Sequence, residues 1–269
     1  MPLSIMILET NLSWADWGAI SQIILTFFTI ISVIIAFFTF WDGKKRKKVE
    51  ISVNLAHYYQ ENIIPKISLV GEALSQTEAG ELMQSSFPRN KIRDFDQEEL
   101  ISLSEKDNIV DYIEKELDLI PITAMMRARD VSKNKFLDIG THEIFSLYKH
   151  EEEEAGRAVI EKIIRSDFQS GISELLNILE WFSMNFVKGI ADGDAVYQSL
   201  HQSFISIVHT LYFFISRCNK QDCDKYYTNI IELYHQWSDR KKELANKEEE
   251  IKRKAKKKTS KVSRSRRVL

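Results

Sequence analysis

Six histidines and two cysteines are the residues of this 269-residue chain best suited to nucleophilic, proton-transfer or metal chemistry. Their spacing argues against all three. His201 and His209 lie eight positions apart on one predicted helix. At 1.5 Å per residue that is roughly 12 Å, too far to share a metal ion. His142-Glu143 is followed by Ser146 where the second zinc-binding histidine of H-E-x-x-H would stand. The chain contains no G-x-x-x-x-G-K-[ST], no G-x-G-x-x-G and no R-x4–6-H pattern. Cys218 and Cys223 form a lone C-x4-C pair with no second pair to complete a metal site, and in a cytoplasmic domain they are reduced thiols. Asp192-Gly193-Asp194 opens like a calcium loop, but Ser203 stands where a bidentate glutamate is needed, so the segment reads as a turn between helices. The residues therefore point to a non-enzymatic protein with no catalytic site, no metal, no cofactor and no small-molecule substrate.

Charge is the remaining chemistry. The net charge of −2 conceals segregation: 22 basic and 36 acidic residues lie between Val49 and Ile251, a net of −14. The C-terminal stretch carries Lys252, Arg253, Lys254, Lys256, Lys257, Lys258, Lys261, Arg264, Arg266 and Arg267 with no acid among them. Near a membrane such a stretch binds anionic lipid at roughly 1 kcal/mol per residue. It equally binds nucleic acid through counterion release. Its lack of aromatic residues speaks against base stacking. A merely solubilising tail is the plain alternative. So is a solvated face for Glu151 to Glu154, which otherwise suit a basic partner.

Gly18 to Trp41 is a run of 24 residues without a charge. As helix it spans roughly 36 Å, enough for a hydrocarbon core of about 30 Å. Trp14, Trp17 and Trp41 mark its ends, where indoles favour the headgroup layer. Lys44, Lys45, Arg46, Lys47 and Lys48 follow, whereas the N-terminal side has Glu9 and Asp16 and no Lys or Arg. The positive-inside rule then predicts a single-pass protein, N-terminus outside and C-terminal domain in the cytoplasm. A cleaved signal peptide would need a basic start and a small-residue cleavage site, and neither is present. At 100° per residue, Gly18, Ser21, Gln22, Thr26, Thr29, Ser32, Ala36 and Thr39 share an arc of about 140°. Ile20, Ile23, Ile24, Phe27, Ile30, Ile31, Ile34, Ile35, Phe37 and Phe38 lie opposite. Small and hydroxylated residues on one face suit a seam with a second copy or a partner span, with Gln22 its strongest polar member. Alternatively, each hydroxyl bonds its own helix four residues back.

Nine glycines and four prolines are few for this length and disfavour turn-rich β folds. The chain reads as all-α, divided into an external N-terminus (1–17), a transmembrane helix (18–41), a juxtamembrane helical segment (42–83), a cytoplasmic helical domain (84–250) and a basic disordered tail (251–269). Helix through Ile63 should kink at Pro65 and resume through Ile67, Val70 and Leu74; residues 84–93 read as a loop. Asp96 caps the next helix, with Glu99 reaching back and Phe95 stapled onto Leu100. Ser104-x-x-Asp107 restarts a helix that stops before Pro121, and a short helix is expected near Ala124–Arg129. Further helices are expected over Thr141–Arg165, Leu175–Val187 and Val196–Ile215, the last two central to the core, with Asp194 as N-cap after the 189–194 turn. A long helix from about Asp224 carries Ile230, Trp237, Leu244 and Ile251 every seventh residue, a marginal coiled-coil seam because Arg240 and Lys247 hold the other position.

Leu175-Leu176-Asn177, Glu180, Gly189-Ile190, Asp192, Tyr197, Tyr226-Tyr227, Leu233 and Trp237 resemble an uncharacterised bacterial family of small membrane-anchored helical proteins, a domain of unknown function. These are packing and turn positions covering about a quarter of the chain. The resemblance implies an N-terminal span before a helical domain. It also implies a setting among mobile elements and antiviral defence, where such a protein would act as a membrane sensor or effector. The segment 66–149 has no counterpart and is the expected sensor or partner-binding part.

Overall fold

The computed structural model describes residues 14–78, 87–104, 108–125, 154–220 and 225–265; side chains are described throughout except at 14–21, 23–24, 154–155 and 255–265. All regular structure in these ranges is helical. The chain divides into two compact units, Met1–Glu50 and Ile51–Leu269. The division falls inside the expected juxtamembrane segment and within helix α1, Trp14–Tyr58.

In the first unit, α1 holds the apolar run. Leucine, isoleucine and phenylalanine carry it, and every backbone donor from the fifth residue on is satisfied within the helix. Its basic end includes an Arg46–Asp42 ion pair of 2.8 Å.

In the second unit, the helical path continues from α1 through a π-helical turn, Tyr59–Ile63, into α2, Ile64–Leu74. Pro65, where the sequence predicts a kink or an interruption, lies in the first turn of α2. Proline has no N–H to donate, and Ile64 N–H bonds Tyr59 O, five residues back, so the ladder shifts register just before it. Residues 87–96 form an irregular strap before α3, Gln97–Ser104; α4 follows over Ile109–Leu117. Residues 122–125 make one helical turn. The Asp107 cap, positions 126–129 and the expected helix over 141–153 lie outside the described residues.

Helix α5, Glu154–Val187, joins two expected helices into one of 34 residues. Gly189, at φ 64, closes it, with Ile190 and Ala191 N–H both bonding Asn185 O. Helix α6 is Gly193–Thr210 and α7 is Tyr212–Cys218. The cap of α6 is Asp192, not Asp194: Asp192 Oδ1 accepts Asp194 N–H at 2.9 Å. Asp194 instead pairs with Arg240 of α8.

Helix α8, Thr228–Ser265, is longer than the sequence predicts. The expected disordered tail is helical through Ser265. Lysine, arginine and alanine are strong helix formers, and Glu248–Lys252 and Glu250–Lys254 pair across one turn at 2.6 and 2.8 Å. Only the first part of the seam is buried. Ile230 and Trp237 are core residues, whereas Leu244 and Ile251 are exposed.

Helix α8 packs on α5 and α6, α7 packs on α3, and the π-turn packs on α5. Phe182 is fully buried at the centre, its ring 5.0 Å from those of both Tyr59 and Phe186 and 6.1 Å from that of Phe204. Trp237 closes the layer against Phe186, Tyr197 and Phe204. Arg240 stacks on the Tyr197 ring at 4.1 Å while holding Asp194.

Candidate functional site

On α1 the chain itself covers almost nothing. Between Leu25 and Trp41 the large apolar side chains are open, from 53% at Ile30 to 71% at Phe40, with only Ile34 lower at 48% and Ile31 half-buried. This is the one helix among the described residues long and apolar enough to cross a membrane, and none of its qualifying window is buried. On the opposite face, Gln22, Thr26, Thr29 and Ala36 are exposed and Ser32 is also on the surface. Thr26, Thr29, Ser32 and Thr39 hydroxyls donate to Gln22, Leu25, Phe28 and Ile35 carbonyls, each at 2.8 Å. These hydroxyl protons are thus used locally, and among the described residues of this face Gln22 is the polar side chain with donors to offer elsewhere. The side chains of Gly18 and Ser21 lie outside the described residues. Of the topology cluster, Lys44 to Lys47 are exposed and Lys48 is half-buried.

The tail cations that can be placed, Lys252, Arg253 and Lys254, are exposed on α8, with Lys252 and Lys254 engaged by the glutamates one turn earlier. Lys256, Lys257, Lys258, Lys261 and Arg264 continue the helix with side chains outside the described set, and Arg266 and Arg267 follow it.

His201 and His209 are both buried in α6, as satisfied-core histidines are expected to be, but only His201 is quiet. Its Nδ1 lies 2.7 Å from Tyr197 O. His209 takes part in a cleft that the sequence does not disclose. This cleft, about 570 Å3, lies between the 87–96 strap, α6 and α8. Arg89 and Arg93 come from the strap, His209 from α6, and Tyr234, His235, Lys241 and Lys242 from α8. Asp239 is the only acid in its lining among the described residues and pairs with Lys242 at 3.2 Å. Among the described lining residues, basic side chains outnumber acidic ones.

The cleft is held by its own polar groups. Tyr234 OH donates to Arg89 O at 3.3 Å, and His209 Nε2 lies 2.8 Å from Tyr234 O. His235 Nε2 donates to Arg93 O at 2.8 Å. His209 Nδ1 has no partner although the residue is only 8% exposed. A buried polar atom left unpaired costs about 1–3 kcal/mol. Burial, then the charges of Arg89 and Lys241, push the His209 pKa down to about 4, so the ring is neutral at pH 7.

The strap that supplies the two arginines is over-determined. Glu99 accepts the backbone N–H groups of Arg93, Asp94 (3.0 Å) and Phe95 (2.8 Å), and the Tyr212 hydroxyl at 3.0 Å. Asp96 Oδ1 caps α3 through Glu99 N–H at 2.8 Å, as its sequence predicts. Asn219, fully buried, donates to Phe95 O and Tyr226 O and accepts from Tyr226 N–H. These bonds hold Phe95 and Tyr227 at φ 52 and φ 61, backbone that non-glycine residues rarely adopt.

Arg89, Arg93, Lys241 and Lys242 were hidden in sequence because Arg93 and Lys241 stand about 150 positions apart and belong to no motif. The histidines at 209 and 235 were visible, but only the fold brings them to one wall. No metal-binding cluster of His, Cys, Asp and Glu occurs among the described residues. No family model, no curated protein and no solved structure matches this chain.

Proposed function

We propose that this is a non-enzymatic, single-pass protein of a bacterial inner membrane, anchored by α1 with its N-terminus outside. Its helical domain acts in the cytoplasm through self-association or a partner protein. The observation that carries the reading is the uncovered apolar surface from Leu25 to Trp41, abutting five consecutive cations. Ten exposed Leu, Ile, Val and Phe side chains between Leu25 and Phe40 cannot rest in water without large cost, whereas hydrocarbon solvates them. The cations then set the direction.

The test is a C-terminal fusion to alkaline phosphatase or to green fluorescent protein, combined with carbonate extraction of membranes. Fluorescence without phosphatase activity, in a pellet that resists carbonate, supports the topology. Phosphatase activity, or release by carbonate, overturns it. Self-association is read by light scattering in mild detergent, where a strict monomer at all concentrations removes the oligomer reading. An antiviral role rests on the resemblance over Leu175 to Trp237, and unaltered phage sensitivity of a host expressing the protein would count against it.

The helical continuation of α8 favours a second reading, in which the cations from Lys252 onward, of which Lys252, Arg253 and Lys254 are exposed, hold anionic lipid or nucleic acid. Binding would weaken steeply with salt and vanish on truncation after Ile251.

A further inference from the structure

We infer that the basic end of α8, from Lys252 to Arg264, docks in the major groove of double-stranded DNA. The inference rests on the second reading of α8 given above and names its partner.

Three observations converge. The first is that the basic segment is helix. Helix α8 runs to Ser265, and Glu248–Lys252 and Glu250–Lys254 brace it across one turn at 2.6 and 2.8 Å. The second is that it stands clear of the core. Trp237 is buried and Arg240 half-buried, whereas every residue from Lys241 to Lys254 is exposed. Lys252 therefore lies roughly 18 Å along the helix beyond Arg240. The stretch from Val49 to Ile251 carries a net charge of −14 and repels a polyanion, so the basic end of α8 is the point of approach. The third is the register. At 100° per residue, positions 252, 253, 254, 256, 257, 258, 261 and 264 sweep an arc of about 240°. Positions 251, 255, 259 and 262 hold the remaining arc of about 120°.

This register favours a groove over the other polyanions. A helix about 10–12 Å across fits the major groove of B-form DNA, about 12 Å wide. Phosphates line both walls there, and cations placed around most of the circumference suit them. A flat lipid surface meets one side of a helix. Helices that lie in it carry Trp, Phe or Leu opposite their cations, and Ala255, Thr259 and Val262 supply none of these. The major groove of helical RNA is too deep and narrow to admit side chains. Single strands are held by aromatic stacking, and no aromatic residue occurs after Trp237.

The experiment separates these partners. Full-length protein in neutral detergent is titrated into a fluorescein-labelled DNA duplex, and anisotropy is read. The single strand and the RNA duplex of the same sequence are titrated alongside, and phosphatidylglycerol vesicles are tested by flotation. The DNA duplex should bind with Kd of roughly 1–100 μM at about 0.15 M salt, at least about tenfold tighter than either alternative nucleic acid. Lys252 and Lys254 are engaged by glutamates. The remaining cations of the arc predict a slope of log K on log salt of about −5 or steeper. Truncation after Ile251 should abolish binding. Ala255→Pro keeps every charge but interrupts the helix, and should weaken duplex binding at least about tenfold. Both changes lie beyond Trp237, the last buried residue of α8 among those described, so the wild-type melting temperature should persist. The proposal is overturned if the DNA duplex does not bind below roughly 1 mM, or if its binding survives truncation. It is equally overturned if the single strand or RNA binds as tightly, if Ala255→Pro binds undiminished, or if only vesicles are bound. In these last cases, loss of binding on truncation would leave the second reading of α8 in place, so the two fail separately. None of these outcomes depends on whether α1 spans a membrane.

Discussion

Glu180 performs for α8 the task that N-terminal residues usually perform for their own helix. Its carboxylate, projecting from α5, accepts Asn229 N–H at 3.1 Å, Ile230 N–H at 3.0 Å and the Asn229 side-chain amide at 2.6 Å. A charged acceptor at a helix N-terminus also meets the favourable end of the dipole. Glu180→Ala should lower stability by about 2 kcal/mol, with Glu180→Gln recovering part of the loss. Urea unfolding midpoints of the full-length protein in detergent check this, and an unchanged midpoint would show the cap to be dispensable. His209 gives a pH-dependent counterpart. Its folded pKa of about 4 lies below the ordinary 6.5, so the unfolded chain takes up the proton first. Stability is complete above pH 6.5 and declines as pH falls toward 4, by at most roughly 3 kcal/mol. Carboxylates contribute equally in wild type and His209→Gln, so the difference between their urea midpoints at pH 7 and pH 4.5 isolates the histidine. The wild type should lose more on acidification than the variant. Neither prediction was available before folding. Glu180 and His209 look ordinary on their helices, and their roles arise from what α8 places beside them.

At the scale of the element, α1 was the most legible part of the chain. A long uncharged run and its flanking charges need no tertiary contacts to be read, because lipid, not the rest of the protein, is what would cover them. Its polar face is narrower in function than the wheel suggested. Four of its hydroxyls bond their own helix, which leaves Gln22, among the described residues, as the side chain able to reach a neighbour. Gln22→Leu should weaken self-association by roughly three- to tenfold, in line with about 0.6–1.5 kcal/mol for an interhelical polar contact. Thr26→Val and Thr29→Val should change it less. Concentration-dependent energy transfer in liposomes measures both, and equal effects from all three would remove Gln22 from the seam. Helix ends in the second unit were read less evenly. Asp96 caps as its motif predicts, whereas α6 takes Asp192 instead of Asp194. Both aspartates suit a cap locally, and the choice falls to Asp192, whose N–H donates to Ser52 Oγ at 2.6 Å. The join of α5 was missed because charged residues interrupt its apolar pattern without breaking its backbone ladder. The persistence of α8 to Ser265 was missed because a low-hydrophobicity, high-charge segment is compositionally indistinguishable from a disordered one.

At the scale of the whole molecule, charge segregation and orientation belong together. Replacing Lys44, Lys45, Arg46, Lys47 and Lys48 by glutamine removes the strongest charge bias flanking the span. A measurable fraction of the chains should then insert with the C-terminal domain outside, raising phosphatase activity of the C-terminal fusion above the wild-type background. Orientation that stays uniform would assign direction to another feature. By itself the sequence determined the helical class, the apolar run with its charge asymmetry, the absence of familiar catalytic motifs and most helix locations. These depend on composition and on periodicities of a few residues, which survive without tertiary contacts. Only the tertiary structure decided which aspartate caps α6, that Glu180 caps α8, and that Arg89 and Arg93 face Lys241, Lys242 and His209 across one cleft. Apart from the Asp192 cap bond itself, which Ser52 supports from 140 positions away, those outcomes join residues from about 30 to 150 positions apart. Their energy comes from burial and hydrogen bonding that exist only once the helices have packed, so no local pattern carries them.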